Sequence, residues 1–436
     1  MNNRLKIGLA LCLVTLLAAC GGGGGVSPWI GTKQLGVAGK ETRGNSVATD
    51  ASGNVYVAGY TQGGLDGNTL TGTTDFFFTK YNSSGDKQYT RQLGVAEQDT
   101  LGNSVATDAN GNVYVAGWTR VGLDGNTLTG TTDFFFTKYD SSGVKQYTRQ
   151  LGVAGQSTYG RSVATDASGN VYVAGYTRGG LDGNTLTGTA DFFVTKYGSS
   201  GVKQYTRQLG VAAQDTYGLS VATDASGNVY VAGYTLGGLD GNTLTGNQDF
   251  FVTKYNSSGV KQYTQQLGVA AQDTYGESVA TDANGNVYVA GYTRGGLDGN
   301  TLTGTYDLFV TKYDSSGVKQ YTRQLGVTGR TTYGESVATD ASGNVYVAGF
   351  TGGGLDGNTL TGTYDLFVTK YNSSGVKQYT RQLGVAGQRT EGTSVATDAN
   401  GNVYVAGNIW GGLDGNALTG TLDFFVTKYN SSGVKQ

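Results

Sequence analysis

Histidine is missing altogether from the 436 residues, proline occurs once, and cysteine occurs twice, as Cys12 and Cys20. Without an imidazole there can be no Ser-His-Asp or Cys-His nucleophile system, and with so little sulfur no set of soft ligands for a transition metal. Both cysteines fall in the first 20 residues, so the rest of the chain holds neither a disulfide nor a free thiol. Charge is sparse as well. Once Arg4 and Lys6 of the N-terminal leader are set aside, 28 basic residues stand against 32 acidic ones, a net charge of −4. A nucleic-acid partner needs a basic face and finds none here. No stretch shows helical periodicity of useful length, which leaves an all-β chain.

What the sequence does have is repetition. The phrase SVATDA recurs with its aspartate at Asp50, Asp108, Asp166, Asp224, Asp282, Asp340 and Asp398, a constant step of 58 residues. Seven such units fill residues 31–436 with no remainder, and the array begins in mid-unit. Within a unit, SVATD and VYVAGYT flank ASGN or ANGN, and DFFFTKY and KQYTRQLG flank NSSG or DSSG. These are two hairpins by turn chemistry and β-branched or aromatic content, hence four strands per unit. Runs such as Phe76, Phe77 and Phe78 are apolar at consecutive positions, which suits a sheet covered on both faces.

A parallel β-helix uses shorter coils and stays open, whereas a propeller uses roughly 40–50 residues per four-stranded blade and closes on itself. The 58-residue unit with one long loop fits a seven-bladed β-propeller. The chain stops at KYNSSGVKQ, lacking the YTRQLG or YTQQLG that follows every earlier copy, while the segment from Trp29 to Glu41, WIGTKQLGVAGKE, reads like the missing piece. The N-terminal strand is therefore expected to complete the last blade, leaving no unpaired edge at the closure.

The ordered motifs DASGNVYVAGYT, DFFVTKYNSSG and RQLG resemble the bacterial SBBP β-propeller repeat family, and the resemblance covers all seven units. It implies a propeller in an exported bacterial protein and brings no catalytic residues with it. Function has to be argued from sites.

Residues 1–19 read as a signal peptide: Arg4 and Lys6 form a charged start, an apolar run too short for a comfortable membrane span follows, and LAAC ends in Cys20. This resembles a lipoprotein lipobox, implying cleavage before Cys20 and lipidation of its thiol, with residues 20–28 as a Gly-rich tether and residues 29–436 as the propeller. Gly21, in place of the aspartate that retains such proteins at the inner membrane, points to the outer membrane of a bacterial envelope. Several acyl chains on one cysteine give stable anchoring, at about 0.8 kcal/mol per buried methylene.

Aspartate recurs twice more per unit, at Asp66 and its repeats within LDGN and nine residues later at Asp75 and its repeats. A ring of calcium sites would need six to eight oxygens per ion, yet a leucine stands where a third ligand is wanted. Turn-holding bonds to backbone N–H groups are the expectation, with no metal and no cofactor. The acids occur sevenfold, whereas a catalytic pair is a singular feature, so no catalytic residue is expected.

The short hairpin turns scarcely vary between units. Variation gathers on the opposite face, where the second-to-third-strand loops and the blade links lie. Tyr60, Trp118, Tyr176, Tyr234, Tyr292, Phe350 and Asn408 share one position there. Arg120 and Trp410 share a second with Gln62, and Tyr159, Tyr217, Tyr275 and Tyr333 fall on successive links with Arg43. Aromatic faces and arginines among small polar residues suit recognition. The candidate binding residues are Trp118, Arg120, Tyr159, Tyr217, Tyr275, Tyr333 and Trp410. The expected protein is a monomeric, lipid-anchored binding or scaffold module, not an enzyme, for an envelope or extracellular protein or glycan. The alternatives are a polysaccharide-acting enzyme using Asp or Glu and a purely structural envelope protein.

The leader makes a direct prediction. A clickable palmitate analogue fed to expressing cells labels the protein, and Cys20→Ser abolishes both the label and membrane retention; label persisting in the variant contradicts lipidation at this site.

Overall fold

The computed structural model describes residues 28–436, so Cys20, the signal peptide and all of the tether but Pro28 lie outside the described residues. Seven four-stranded antiparallel sheets are arranged as the blades of a propeller, as the 58-residue period predicts. In the first blade the strands are Thr42–Thr49, Val55–Thr61, Asp75–Tyr81 and Lys87–Leu93, paired in sequence order. The first strand of each blade lies against the first strands of its neighbours, around a central channel.

The consecutive apolar residues divide between the two faces of a blade. Phe76 and Phe78 pack with Val113, Val115 and Phe135 of the second blade, while Phe77 stacks on Phe424 of the seventh at 5.1 Å between ring centroids. All three phenylalanines are completely buried, and each such burial is worth about 2–3 kcal/mol. Polar groups add a second continuity. The Thr49 hydroxyl donates to the Thr397 carbonyl at 2.8 Å, Thr107 to Thr49, and so on through Thr165, Thr223, Thr281, Thr339 and Thr397, closing a ring of hydrogen bonds around the channel.

The repeated aspartates hold the loops. Asp50 accepts from the backbone N–H of Ser52 and Asn54, from the Asn54 amide and from the Tyr56 hydroxyl, all within 2.7–2.9 Å. Fully buried Asp75 accepts from the N–H groups of Thr71 and Gly72 and from the Gln92 amide. Asp66 sits in the left-handed region at φ 55° and pairs with Lys87.

The fourth strand of the last blade is shared by the two chain ends. Lys33, Gln34 and Leu35 pair with Val426, Phe425 and Phe424, and the Gly31 N–H donates to the Gln436 carbonyl at 3.0 Å. Lys435 still bridges to Tyr429 and pairs with Asp414, as Lys87 does with Asp66. The strand is thus a composite, begun by the C-terminus and finished by the N-terminus. Gln34 locks the joint: its amide donates to Asp423 at 2.9 Å and its carbonyl accepts from the Leu413 N–H at 3.0 Å. Trp29, 3 % exposed, lies between Tyr81 and Tyr404. It covers Gly85 as Tyr89 covers Gly143 one blade on.

One sequence reading needs correction. Tyr159, Tyr217, Tyr275 and Tyr333 are not in the blade links but are the second residues of first strands, which begin at Thr158, Thr216, Thr274 and Thr332. The first strand extends upstream of SVATD because the segment before it keeps pairing after a bulge.

Deleting residues 29–36 should lower the melting temperature far more than deleting residues 21–25, and Trp29→Ala should cost about 3–5 kcal/mol in denaturant unfolding. Equal melting temperatures for the two deletions contradict closure by this segment.

Candidate functional site: the mouth of the channel

Each first strand carries one residue too many for its partner. In the first blade Thr42 pairs with Thr61, Arg43 with Tyr60 and Gly44 with Gly59, and pairing resumes at Ser46 with Ala58, so Asn45 is a bulge. The same slip occurs in all seven blades. Two glycines make room for it. A Cβ on Gly59 would lie 1.7 Å from the Arg43 carbonyl oxygen, and one on Gly44 would lie 2.8 Å from the Phe424 Cβ. The N–H of Val105, just past the second blade's bulge, is taken by the Ser46 hydroxyl of the preceding blade at 3.1 Å.

A bulge re-aims its side chain, and here all seven point at the axis. Asn45, Asn103, Arg161, Leu219, Glu277, Glu335 and Thr393 together line a cavity of about 410 Å³ at the long-loop end of the channel. They divide into two groups. Asn45, Asn103 and Thr393 donate to the carbonyls of Gly102, Gly160 and Gly44 of the next blade at 2.8–2.9 Å. The bulge residues of the third to sixth blades make no such bond among the described residues, which leaves Arg161, Leu219, Glu277 and Glu335 facing the cavity.

Around this cavity the aromatic residues form a collar. An unbroken ladder runs Trp118, Tyr159, Tyr176, Tyr217, Tyr234, Tyr275, Tyr292, Tyr333, Phe350 and Tyr364, with successive ring centroids 4.8–5.6 Å apart. Tyr306 bridges Tyr292 and Tyr333. Most contacts are tilted or edge-to-face, the favoured arrangement for aromatic pairs. Arg389 continues the collar, lying over Tyr364 at 4.8 Å and Trp410 at 5.6 Å, and Arg43 covers Trp410 at 5.9 Å. Arg120 lies over Trp118 at 5.4 Å and pairs with Asp99 at 3.5 Å.

All seven residues singled out in the sequence therefore meet at this end of the molecule. Trp118, Tyr159, Tyr217, Tyr275 and Tyr333 are rungs of the ladder, and Arg120 and Trp410 flank it. The sequence reading missed the channel residues Arg161, Glu277 and Glu335. A signal for them exists: the position before SVATD reads Asn, Asn, Arg, Leu, Glu, Glu, Thr in an otherwise fixed phrase. Without knowledge of the bulge, its direction is not readable.

The two glutamates are electrostatically unusual. Burial pushes the Glu277 carboxyl up to about 7, although Arg161 and the Tyr292 hydroxyl pull against it. Burial, and then the like charges of Glu277 and Glu391, push Glu335 up to about 8. Neither forms an ion pair among the described residues.

The architecture is that of a seven-bladed β-propeller with its variable side chains gathered at one mouth of the channel. The chain belongs to the SBBP beta-propeller repeat family, whose model matches seven times, over residues 30–66, 88–124, 146–182, 204–240, 262–298, 320–356 and 378–414. It is 26 % identical over 411 residues to the regulatory protein FlaEY of Caulobacter vibrioides, a match covering 81 % of this chain and 41 % of that protein. A WD repeat-containing protein of Acanthamoeba polyphaga mimivirus is 23 % identical over 497 residues, covering 84 % of this chain and 35 % of the viral one. The chain thus spans less than half the length of these curated relatives. Among solved structures, a chain of the mitotic checkpoint complex superposes with a TM-score of 0.50 at 13 % identity, covering 98 % of this chain and 99 % of that one. At that identity the likeness is one of fold.

The raised carboxyls give stability a definite pH dependence. Because the fold favours their protonated forms, their contribution is complete below the ordinary carboxyl range and is lost as pH rises through about 7 to 8. The melting temperature should therefore fall by roughly 2 °C or more between pH 6 and pH 9 relative to Glu335→Gln, which keeps a neutral group at all pH values. Parallel curves for the two proteins contradict this assignment.

Proposed function

We propose that this propeller is a binding module whose ligand docks on the long-loop face, at the aromatic collar and channel mouth. The observation that carries the reading is the confinement of differences between blades to one end. There the third to sixth blades combine the tyrosine ladder with channel side chains that make no bond to the next blade's backbone among the described residues, while the hairpin turns of the other end are nearly uniform. A ladder of large rings with few rotatable bonds offers contact area at low entropic cost, and the half-buried polar groups among the rings supply direction. The partner class is an envelope or extracellular protein or glycan.

In the same reading Cys20 holds the module on the bacterial outer membrane by lipid. The N-terminal segment enters the last blade from the short-turn side, so the leash leaves the disc opposite the collar. Only eight residues separate Cys20 from Trp29, at most about 30 Å of chain. The short turns then face the bilayer and the collar faces outward.

A second reading is favoured by Glu277 and Glu335, because a carboxyl held protonated near neutral pH is what a general acid acting on polysaccharide requires. The two are separable. Glycan and envelope-protein binding screens with the chain from Val26 onward, alongside the double variant Tyr217→Ala, Tyr275→Ala, test the binding reading. The expected result is a ligand whose affinity falls at least about tenfold in the double variant and that is recovered unchanged. Chemical conversion of a glycan that survives the tyrosine changes but stops with Glu277→Gln establishes the enzyme instead.

A further inference from the structure

The collar and the channel are not symmetric in charge. Glu277 and Glu335 occupy the same bulge position on adjacent blades. Tyr275 and Tyr292 line, with Glu277 and Arg161, a second hollow of about 350 Å³ adjoining the channel cavity, and Tyr306 and Tyr333 contact Tyr292 at 5.6 and 4.8 Å between ring centroids. The nearest charges are few. Arg161 sits across Leu219, two blades from Glu277, and Glu391 on the far side is already paired with Arg389. Two carboxyls without an ion-pair partner thus line the channel cavity, and one of them, Glu277, also lines the adjoining hollow together with Tyr275 and Tyr292. A neutral or anionic ligand would leave these acids further desolvated and unpaired, at a cost. A cation would meet opposite charge and the negative faces of aromatic rings together.

We propose that the Glu277–Glu335 side of the channel mouth, beside the rings of Tyr275 and Tyr292, binds an organic cation: a primary ammonium group presented either by a free diamine or by a lysine side chain of a partner protein. This inference rests on the reading of the mouth as a ligand site, and it assigns the chemistry of the group that enters deepest. The raised carboxyls fit it, since an arriving ammonium group replaces the protons they hold when the site is empty.

The test is titration calorimetry on the full chain in detergent, at pH 6.5 and in two buffers of different ionisation enthalpy. The probes are pentane-1,5-diamine, a blocked Gly-Lys-Gly peptide and, as the uncharged isostere, pentane-1,5-diol. Binding of the diamine or the peptide, but not the diol, is expected, with proton release revealed by the difference between buffers. Diamine binding alone identifies a free amine as the source, and tighter peptide binding identifies a protein side chain. Affinity should weaken about tenfold or more in Glu335→Gln and in Glu277→Gln. It should be unchanged in Asp86→Asn, which makes the same charge change on the opposite face, and it should strengthen in Arg161→Leu, which removes the competing cation. No binding of either amine, equal binding of the diol, or equal loss in Asp86→Asn overturns the proposal. If both amines fail to bind while a ligand from the screens still depends on Tyr217 and Tyr275, the cation assignment falls and the binding module stands.

Discussion

The arrangement at the channel mouth depends on one extra residue in the first strand of each blade. Seven sheets that converge on an axis bring their innermost strands so close that side chains there have little room. The bulge answers this by turning one side chain per blade into the channel, and the glycine pair Gly44 and Gly59, with its repeats, gives the backbone the space to do it. Because the bulge interrupts the ladder, an amide is released, and the serine of the preceding blade accepts from it. Channel lining, blade-to-blade bonding and the glycine pattern are consequences of the same insertion.

That construction separates what must be constant from what can vary. Blade contacts are made by Phe, Tyr and Val side chains that are completely buried, and by threonine and serine hydroxyls that bond from blade to blade. These positions hardly change along the chain. The bulge residue and the second residue of the first strand belong to neither recurring set of contacts, so they differ between blades at little cost to the fold. Where the bulge residue is Asn or Thr it still bonds to the neighbouring backbone. Where it is Arg, Leu or Glu it does not, and those four blades are the ones that carry tyrosine before the glycine. Charge and aromatic area are thereby gathered on one side of a molecule whose scaffold is close to sevenfold symmetric.

Much of this was legible in the sequence, for physical reasons. The 58-residue period, the hairpin turns and the consecutive apolar residues are local signals, and they prescribe blades covered on both faces. The truncated last unit prescribed closure by the N-terminus. Three things were not legible. The first strand begins at Thr42, yet a bulge breaks the alternation that would have revealed it, so Tyr159 and its repeats were placed in links. The composite fourth strand could not be divided between Lys435–Gln436 and Lys33–Leu35 without pairing partners. The channel glutamates looked like strand residues of indifferent direction, and their raised carboxyls follow from burial that only the assembled ring creates.

The central claim is that the bulge residues converge on a shared cavity rather than pointing away from the axis. Dipolar spectroscopy between paired spin labels measures this directly, in a chain whose two native cysteines are replaced by serine. One pair replaces Leu219 and Thr393, three blades apart at the bulge. The other replaces Val202 and Val376, also three blades apart but 65 % and 56 % exposed. Convergence predicts a much shorter distance for the first pair than for the second, and equal distances would contradict it.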